Sequence, residues 1–286
     1  MKAAMEAESL ATILILTSAV LHASWNAAVK KSDDKLAIMV FLTTYGGLLY
    51  VPFVLFVPFP DVALWGWIAA SAVIHLGYQL ALAATLDRGA LTFAYPVARG
   101  TGPLLVGIFA YLVLNEGMTL WKLSAIAVLV CGIFVTARVG NKEDHRNGKA
   151  LPFALLTGTM IASYTIVDGL AVRSVENPFT YIIWAGIAGS PLILLVGIKQ
   201  RGWGMVTSSL KVWKLGLPAA VLAHGGYALA LTAYTLGSLG EIAALRETSI
   251  IFATIIGVLW LKEPFSKNKL AAISLIALGA LLLKFV

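Results

Sequence analysis

A chain of 286 residues that is 59% hydrophobic and only 12% charged cannot clothe a water-soluble globule, where about 25% of residues carry charge. The formal charge of +7 does not indicate nucleic-acid binding, because most basic residues fall in short stretches between long apolar runs. The only cysteine, Cys131, excludes an intrachain disulfide, and a cysteine-based metal site is not expected. This composition predicts a polytopic all-α integral membrane protein. Ten apolar segments of about 20 residues use roughly 200 residues, which fits the length. Long apolar runs differ from the alternating ten-residue segments of a β-barrel.

The first predicted span covers about residues 10–29. The stretch before it, MKAAMEAESL, lacks a basic n-region, so span 1 is read as retained and not as a signal peptide. Span 2 covers about 36–57 and is closed by Pro58-Phe59-Pro60-Asp61; span 3 covers about 64–86, before a tight Asp87-Arg88-Gly89 turn. Span 4 covers about 91–116 and span 5 about 120–139. Residues 140–149 are the most hydrophilic stretch and divide the chain into residues 1–139, a linker at 140–150, and residues 151–286. Spans 6 and 7 cover about 151–172 and 179–198. The long loop 199–214 holds Lys199, Arg201, Trp203, Lys211, Trp213 and Lys214, a mixture suited to a headgroup interface. Spans 8, 9 and 10 cover about 215–236, 241–261 and 270–286.

The two halves repeat one another. Arg99, Thr101, Leu114, Glu116, Lys122, Leu123, Ala125, Ile126 and Gly132 recur as Arg246, Thr248, Leu261, Glu263, Lys269, Leu270, Ala272, Ile273 and Gly279 at one fixed offset. Weaker echoes pair Ser24-Trp25 with Ser163-Tyr164, and His75 and Tyr78 with His224 and Tyr227. Five spans in each half invert the second half relative to the first. That architecture suits a secondary transporter with its site near the midplane, between the repeats. Loops after odd-numbered spans hold roughly 15 Lys and Arg residues, against roughly 4 elsewhere outside the spans, which puts both termini outside the cytoplasm.

Polar and aromatic residues inside the spans fall on helical stripes. Span 1 offers His22, Trp25 and Asn26; span 3, His75, Tyr78 and Gln79; span 4, Tyr95 and Arg99. Span 6 offers Tyr164, Thr165 and Asp168; span 8, His224 and Tyr227; span 9, Arg246 and Glu247. Lipid cannot satisfy these groups, so the stripes should face each other or a water-filled cavity. Spans 2, 5, 7 and 10 lack such stripes and are expected on the outer wall. Structural alternatives stand beside each reading. Arg246 is about five residues into its span, roughly 8 Å, from where it can snorkel; Arg99 is deeper. Asp168 and Glu247 suit an interhelical ion pair or a coupling role, and His75 and His224 a hydrogen bond to a neighbouring helix or the site itself. Glu116 and Glu263, before turns, suit capping of the following helix. Either arginine suits an anionic substrate group if no carboxylate answers it, and Arg99 is favoured for that contact.

No HExxH, GxSxG or Walker loop occurs, so no enzyme and no cofactor or metal site are expected. His22-Ala23-Ser24-Trp25-Asn26 followed by Lys30, the glutamates Glu116 and Glu263 before turns, and Gly132 and Gly279 beyond them resemble the EamA-type branch of the drug/metabolite transporter superfamily. The resemblance spans the chain as two repeats. It implies ten helices around a central cavity and movement of a small metabolite, often efflux of amino acids or related compounds. It also implies both termini in the cytoplasm, opposite to the charge count. The expected function is secondary transport of a small polar or amphipathic metabolite, amino-acid-like or anionic, by alternating access, with a passive channel or a membrane scaffold as the alternative. The expected partners are the substrate, the bilayer of a cell membrane of the bacterial inner-membrane type, protons or a counter-substrate, and a second copy of the chain as an optional homodimer partner.

Overall fold

The computed structural model describes residues 2–88, 91–138, 144–260, 262 and 267–285. Among them every regular element is helical. The order is α1 (Lys2–Lys31), α2 (Lys35–Val40), α3 (Val62–Arg88), α4 (Leu91–Phe109), α5 (Leu120–Arg138), α6 (Asp144–Arg173), α7 (Pro178–Arg201), α8 (Gly204–Lys211), α9 (Trp213–Tyr234), α10 (Leu239–Arg246), α11 (Ser249–Leu259) and α12 (Lys267–Phe285). Among the described residues, seven helical stretches are long and apolar enough to cross a bilayer; Leu120–Val135 and Leu270–Leu283 are shorter apolar helices. The 27-residue α3 is a further long helix, with His75, Tyr78 and Gln79 along it. The outer surface exposes Leu55, Phe56, Val62, Leu112, Trp121 and Leu195, as a lipid-embedded protein requires.

Two predicted spans are broken. Span 2 passes from α2 through a π-helical turn, Phe41–Tyr45, into a 3-10 segment, Leu48–Phe56. Gly46, Gly47 and Pro52 account for this, since glycine weakens a helix and proline removes a donor. Span 9 divides into α10 and α11 at Glu247-Thr248, where the Thr248 hydroxyl bonds back to the Leu245 carbonyl at 2.7 Å. The hydrophilic stretch 140–149 is partly helical, because α6 reaches back to Asp144. In the 199–214 loop, Trp203 and Trp213 are exposed on either side of the short helix α8.

Helix contacts exchange when the halves are swapped. α1 packs on α9 and α11, and α6 packs on α3 and α4. α5 and α12 pack on one another, which is where the repeated glycines meet. A Cβ on Gly132 would lie 2.8 Å from the Ile276 backbone nitrogen, and one on Gly279 would lie 2.5 Å from that of Leu129. The helices therefore touch backbone to backbone, as small residues permit in lipid. Asn115 and Lys262, at equivalent places in the repeats, both adopt left-handed backbone, with φ of 50° and 57°.

Glu116 does not cap the helix that follows it. Its Oε2 accepts from the Leu239 N–H at 2.7 Å, so it caps α10 in the other half. The α5 start is capped by Thr119, whose hydroxyl accepts from the Lys122 N–H. Glu116 also pairs with Arg173 at the end of α6, and Arg173 donates to the carbonyls of Tyr234 (2.6 Å) and Gly237 (2.7 Å). Glu263 lies outside the described residues.

Asp34 ties the α1–α2 turn. Its carboxylate accepts from the Ala37 N–H at 3.0 Å and pairs with Arg201 at 2.7 Å. The Ala37 N–H holds the carboxyl below its ordinary range, against partial burial, with a further contribution from Arg201. That stability is present above the unfolded carboxyl's pKa and lost as pH falls through the folded one. Asp34→Ala is expected to cost about 1 kcal/mol near neutral pH. Thermal melts of wild type and variant should converge as pH falls through the lowered range of the folded carboxyl.

Candidate functional site

A cavity of about 220 Å³ opens among α1, α3, α6, α7, α9 and the broken span 2. His22, Trp25, His75, Tyr78, Gln79, Tyr164, His224, Tyr227 and Arg246 line it. The stripes of five spans thus converge on one space. The expectation that spans 2 and 7 belong to the outer wall is corrected: Met39, Leu42 and Thr43 of span 2 and Gly186, Gly189 and Ser190 of α7 also line the cavity. Their small or apolar side chains leave no polar stripe in the sequence.

One wall is built on Asp168, which is 1% exposed. Its Oδ1 accepts from Ser71 (2.6 Å) and Tyr181 (2.7 Å); its Oδ2 accepts from Tyr227 (3.0 Å) and lies 3.1 Å from His75 Nε2. Four neighbours from α3, α7 and α9 satisfy one carboxylate, so a buried charge on α6 is tolerated. His75 stacks on Tyr164, with ring centroids 4.2 Å apart, and Tyr78 meets the same ring edge-on at 5.6 Å. Ser71 and Tyr181 were not among the sequence candidates. Ser71 precedes His75 by one helical turn, a spacing that marks it. Tyr181, near the start of α7, carries no mark that separates it from an interfacial anchor.

His224, the repeat counterpart of His75, has a different partner. Its Nε2 donates to the Leu42 carbonyl at 3.0 Å, in the π-helical turn of span 2. Tyr50 packs edge-on against its ring and donates to its carbonyl at 3.1 Å. Asn26 lies outside the cavity lining, and its amide donates back to the His22 carbonyl at 2.7 Å. The side chain of Tyr95 lies outside the described residues.

The charged residues of α4 and α10 are divided unequally. Arg99 is 5% exposed, and its Nε lies 2.8 Å from Glu247 Oε2. Its Nη2 donates to Ser249 at 2.9 Å, and its Nη1 lies 3.3 Å from His22 Nε2. A guanidinium only donates, so that His22 nitrogen is the acceptor. Arg99 and Glu247 border a small void beside the main cavity, together with Tyr164, Tyr234 and Arg246. Arg246 borders both spaces and makes no ion pair with a carboxylate among the described residues. The preference for Arg99 as the substrate-facing arginine is therefore corrected. Arg99 is answered by Glu247, across from it on the broken span, and Arg246 is the guanidinium on the cavity wall. No cluster of three or more His, Cys, Asp or Glu arranged to hold a metal occurs among the described residues.

A helical membrane protein with a polar and aromatic cavity enclosed between two repeated halves is the class that these features define. The sequence model of the EamA-like transporter family matches residues 9–138 and 148–285. The chain belongs to this family, within the drug/metabolite transporter superfamily. A solved structure described as "Crystal structure of protein" shares the fold, with a TM-score of 0.74 over 96% of this chain and 96% of that chain at 16% identity.

Proposed function

We propose that the protein is a secondary transporter of a small amphipathic metabolite with an anionic group, working by alternating access between two inverted five-helix repeats. The ten crossings required are the seven long apolar stretches together with α3, α5 and α12. The observation that carries the substrate class is Arg246, a guanidinium on the cavity wall with no carboxylate paired to it among the described residues. A planar fork of donors suits a carboxylate or phosphonate. Trp25, Tyr78 and Tyr164 offer apolar faces to the rest of the molecule. A volume of about 220 Å³ is below the roughly 300–1,000 Å³ of drug-sized pockets and suits a metabolite. Asp168 with His75 is the proposed coupling pair for a proton or a counter-substrate, because His75 borders the cavity.

A thermal-shift panel of metabolites on the purified protein tests the class, followed by uptake of the best stabiliser into proteoliposomes. Anionic compounds should stabilise, and their neutral amides should not. Arg246→Ala should lower uptake about ten- to a hundredfold, and Arg246→Lys about tenfold, since lysine keeps the charge and loses the fork. Normal uptake by Arg246→Ala, or a panel in which only uncharged compounds stabilise, defeats this reading.

A further inference from the structure

Arg246 and Glu247 are neighbours in sequence, at the junction of α10 and α11. A carboxylate in this position has two guanidinium groups within its electrostatic reach, Arg99 and Arg246. Only one of them holds it. Arg99 crosses from α4 and takes Glu247 at 2.8 Å, while Ser249 and His22 engage the two ends of its fork. Among the described residues the cluster contains two guanidinium groups and one carboxylate, which leaves one positive charge over. Which arginine keeps it is decided by this contact.

We infer that Arg99 is a positioning residue that holds Glu247 away from Arg246 and so keeps the Arg246 guanidinium available to the cavity. The inference rests on the reading of Arg246 as the anion contact, and it assigns a specificity role to a residue that does not line the central cavity. Removing the positive group of Arg99 therefore lowers the positive character of the cavity, although Arg99 does not line it. Glu247, once released, turns to its neighbour. Removing Glu247 as well restores the cavity, because both members of the buried pair are then gone and Arg246 again has no competitor.

The test follows arginine modification by phenylglyoxal, read residue by residue by mass spectrometry on full-length protein in detergent. Wild type should label at Arg246 and not at Arg99. Arg99→Met should label Arg246 about tenfold more slowly, the effect of one new charge-assisted contact. Arg99→Met/Glu247→Gln should return to the wild-type rate, and Arg99→Lys, which keeps a cation for Glu247, should stay close to it. A structural role alone would not give this recovery in the double variant. If Arg99→Met yields no monodisperse protein, Arg99→Gln, which retains a donor toward Ser249, replaces it. Equal Arg246 labelling in all the proteins, or a wild-type Arg246 that resists the reagent, overturns the inference. Benzoate is added in a separate arm. Failure of benzoate to protect Arg246 in wild type, with the variants behaving as stated, counts against the anion reading and leaves the Arg99 assignment standing.

Discussion

Asp168→Ala should abolish transport and lower the stability of the folded protein by about 2–6 kcal/mol, at roughly 1–3 kcal/mol for each buried donor left without an acceptor. The range counts two of its four neighbours. His75 and Tyr227 border the cavity, where water can replace the lost carboxylate. Tyr181 lies outside the lining at 0% exposure, and Ser71, although it borders the cavity, is only 3% exposed, so water has little access to either. Asp168→Asn separates structure from function. Its carbonyl oxygen can still accept from Ser71 and Tyr181. Its amide can face Tyr227, whose hydroxyl can reverse, and His75, whose Nε2 can accept in the other tautomer. That variant should melt within about 1 kcal/mol of wild type, the size of one ordinary hydrogen bond, and lose gradient-driven accumulation. Thermal melts in detergent and uptake with and without a proton gradient measure both. An Asp168→Ala protein as stable as wild type would show that the network does not hold the four helices.

Gly279→Leu is expected to be as severe through a different cause. The new side chain has no volume to occupy, because the Leu129 backbone stands 2.5 Å from its Cβ. Backbone cannot rotate aside as a side chain does, so α5 and α12 must separate. Overpacking costs about 1–3 kcal/mol where neighbours can adjust. Here the neighbours cannot, and in lipid no hydrophobic gain draws the helices back together. Gly279→Ala should already lower the melting temperature, and Gly132→Leu should match Gly279→Leu because it strikes the same crossing from the other helix. The yield of monodisperse protein and its melting temperature are the readouts. Neither glycine borders the cavity, so the protein that does fold should keep the wild-type order of preference among stabilising metabolites.

The sequence revealed the cavity residues better than it revealed their partners, and for a physical reason. In a bilayer a polar side chain must face inward, so His22, His75, Tyr164 and Tyr227 announced the cavity by their spacing along each helix. Whether Arg99 or Arg246 would be answered by Glu247 depends on the break at Glu247-Thr248, which turns the carboxylate toward α4. No periodicity encodes that turn. The lining contributed by span 2 and α7 was hidden for the opposite reason. Gly186, Gly189 and Met39 bound the space with backbone and apolar atoms, which read like any lipid-facing surface. Gly132 and Gly279 were legible as a repeated pair, and the reason for the repetition, one shared helix crossing, required the fold. Glu116 was legible as a cap, and the helix that it caps was not, because α10 is distant in sequence.

The contact of Arg173 with Glu116, Tyr234 and Gly237 has a consequence for kinetics. It joins the end of α6, the α9–α10 turn and the α4–α5 turn at one end of the bundle. The residue at the corresponding place after α1 is Asp34, which holds Arg201 and carries no guanidinium of its own. Among the described residues the two contacts are therefore built differently: the guanidinium after α6 gathers a carboxylate and two carbonyls, whereas the carboxylate after α1 takes a guanidinium from α7. If the protein is a carrier that rocks between two states, as proposed above, bonds made in only one of them set the resting ratio of the two. A ligand arriving from the less populated side must first draw the protein into that state, and its apparent affinity falls by the same fraction. The half-saturation concentrations on the two sides of the membrane should then differ, and Arg173→Met should bring them together.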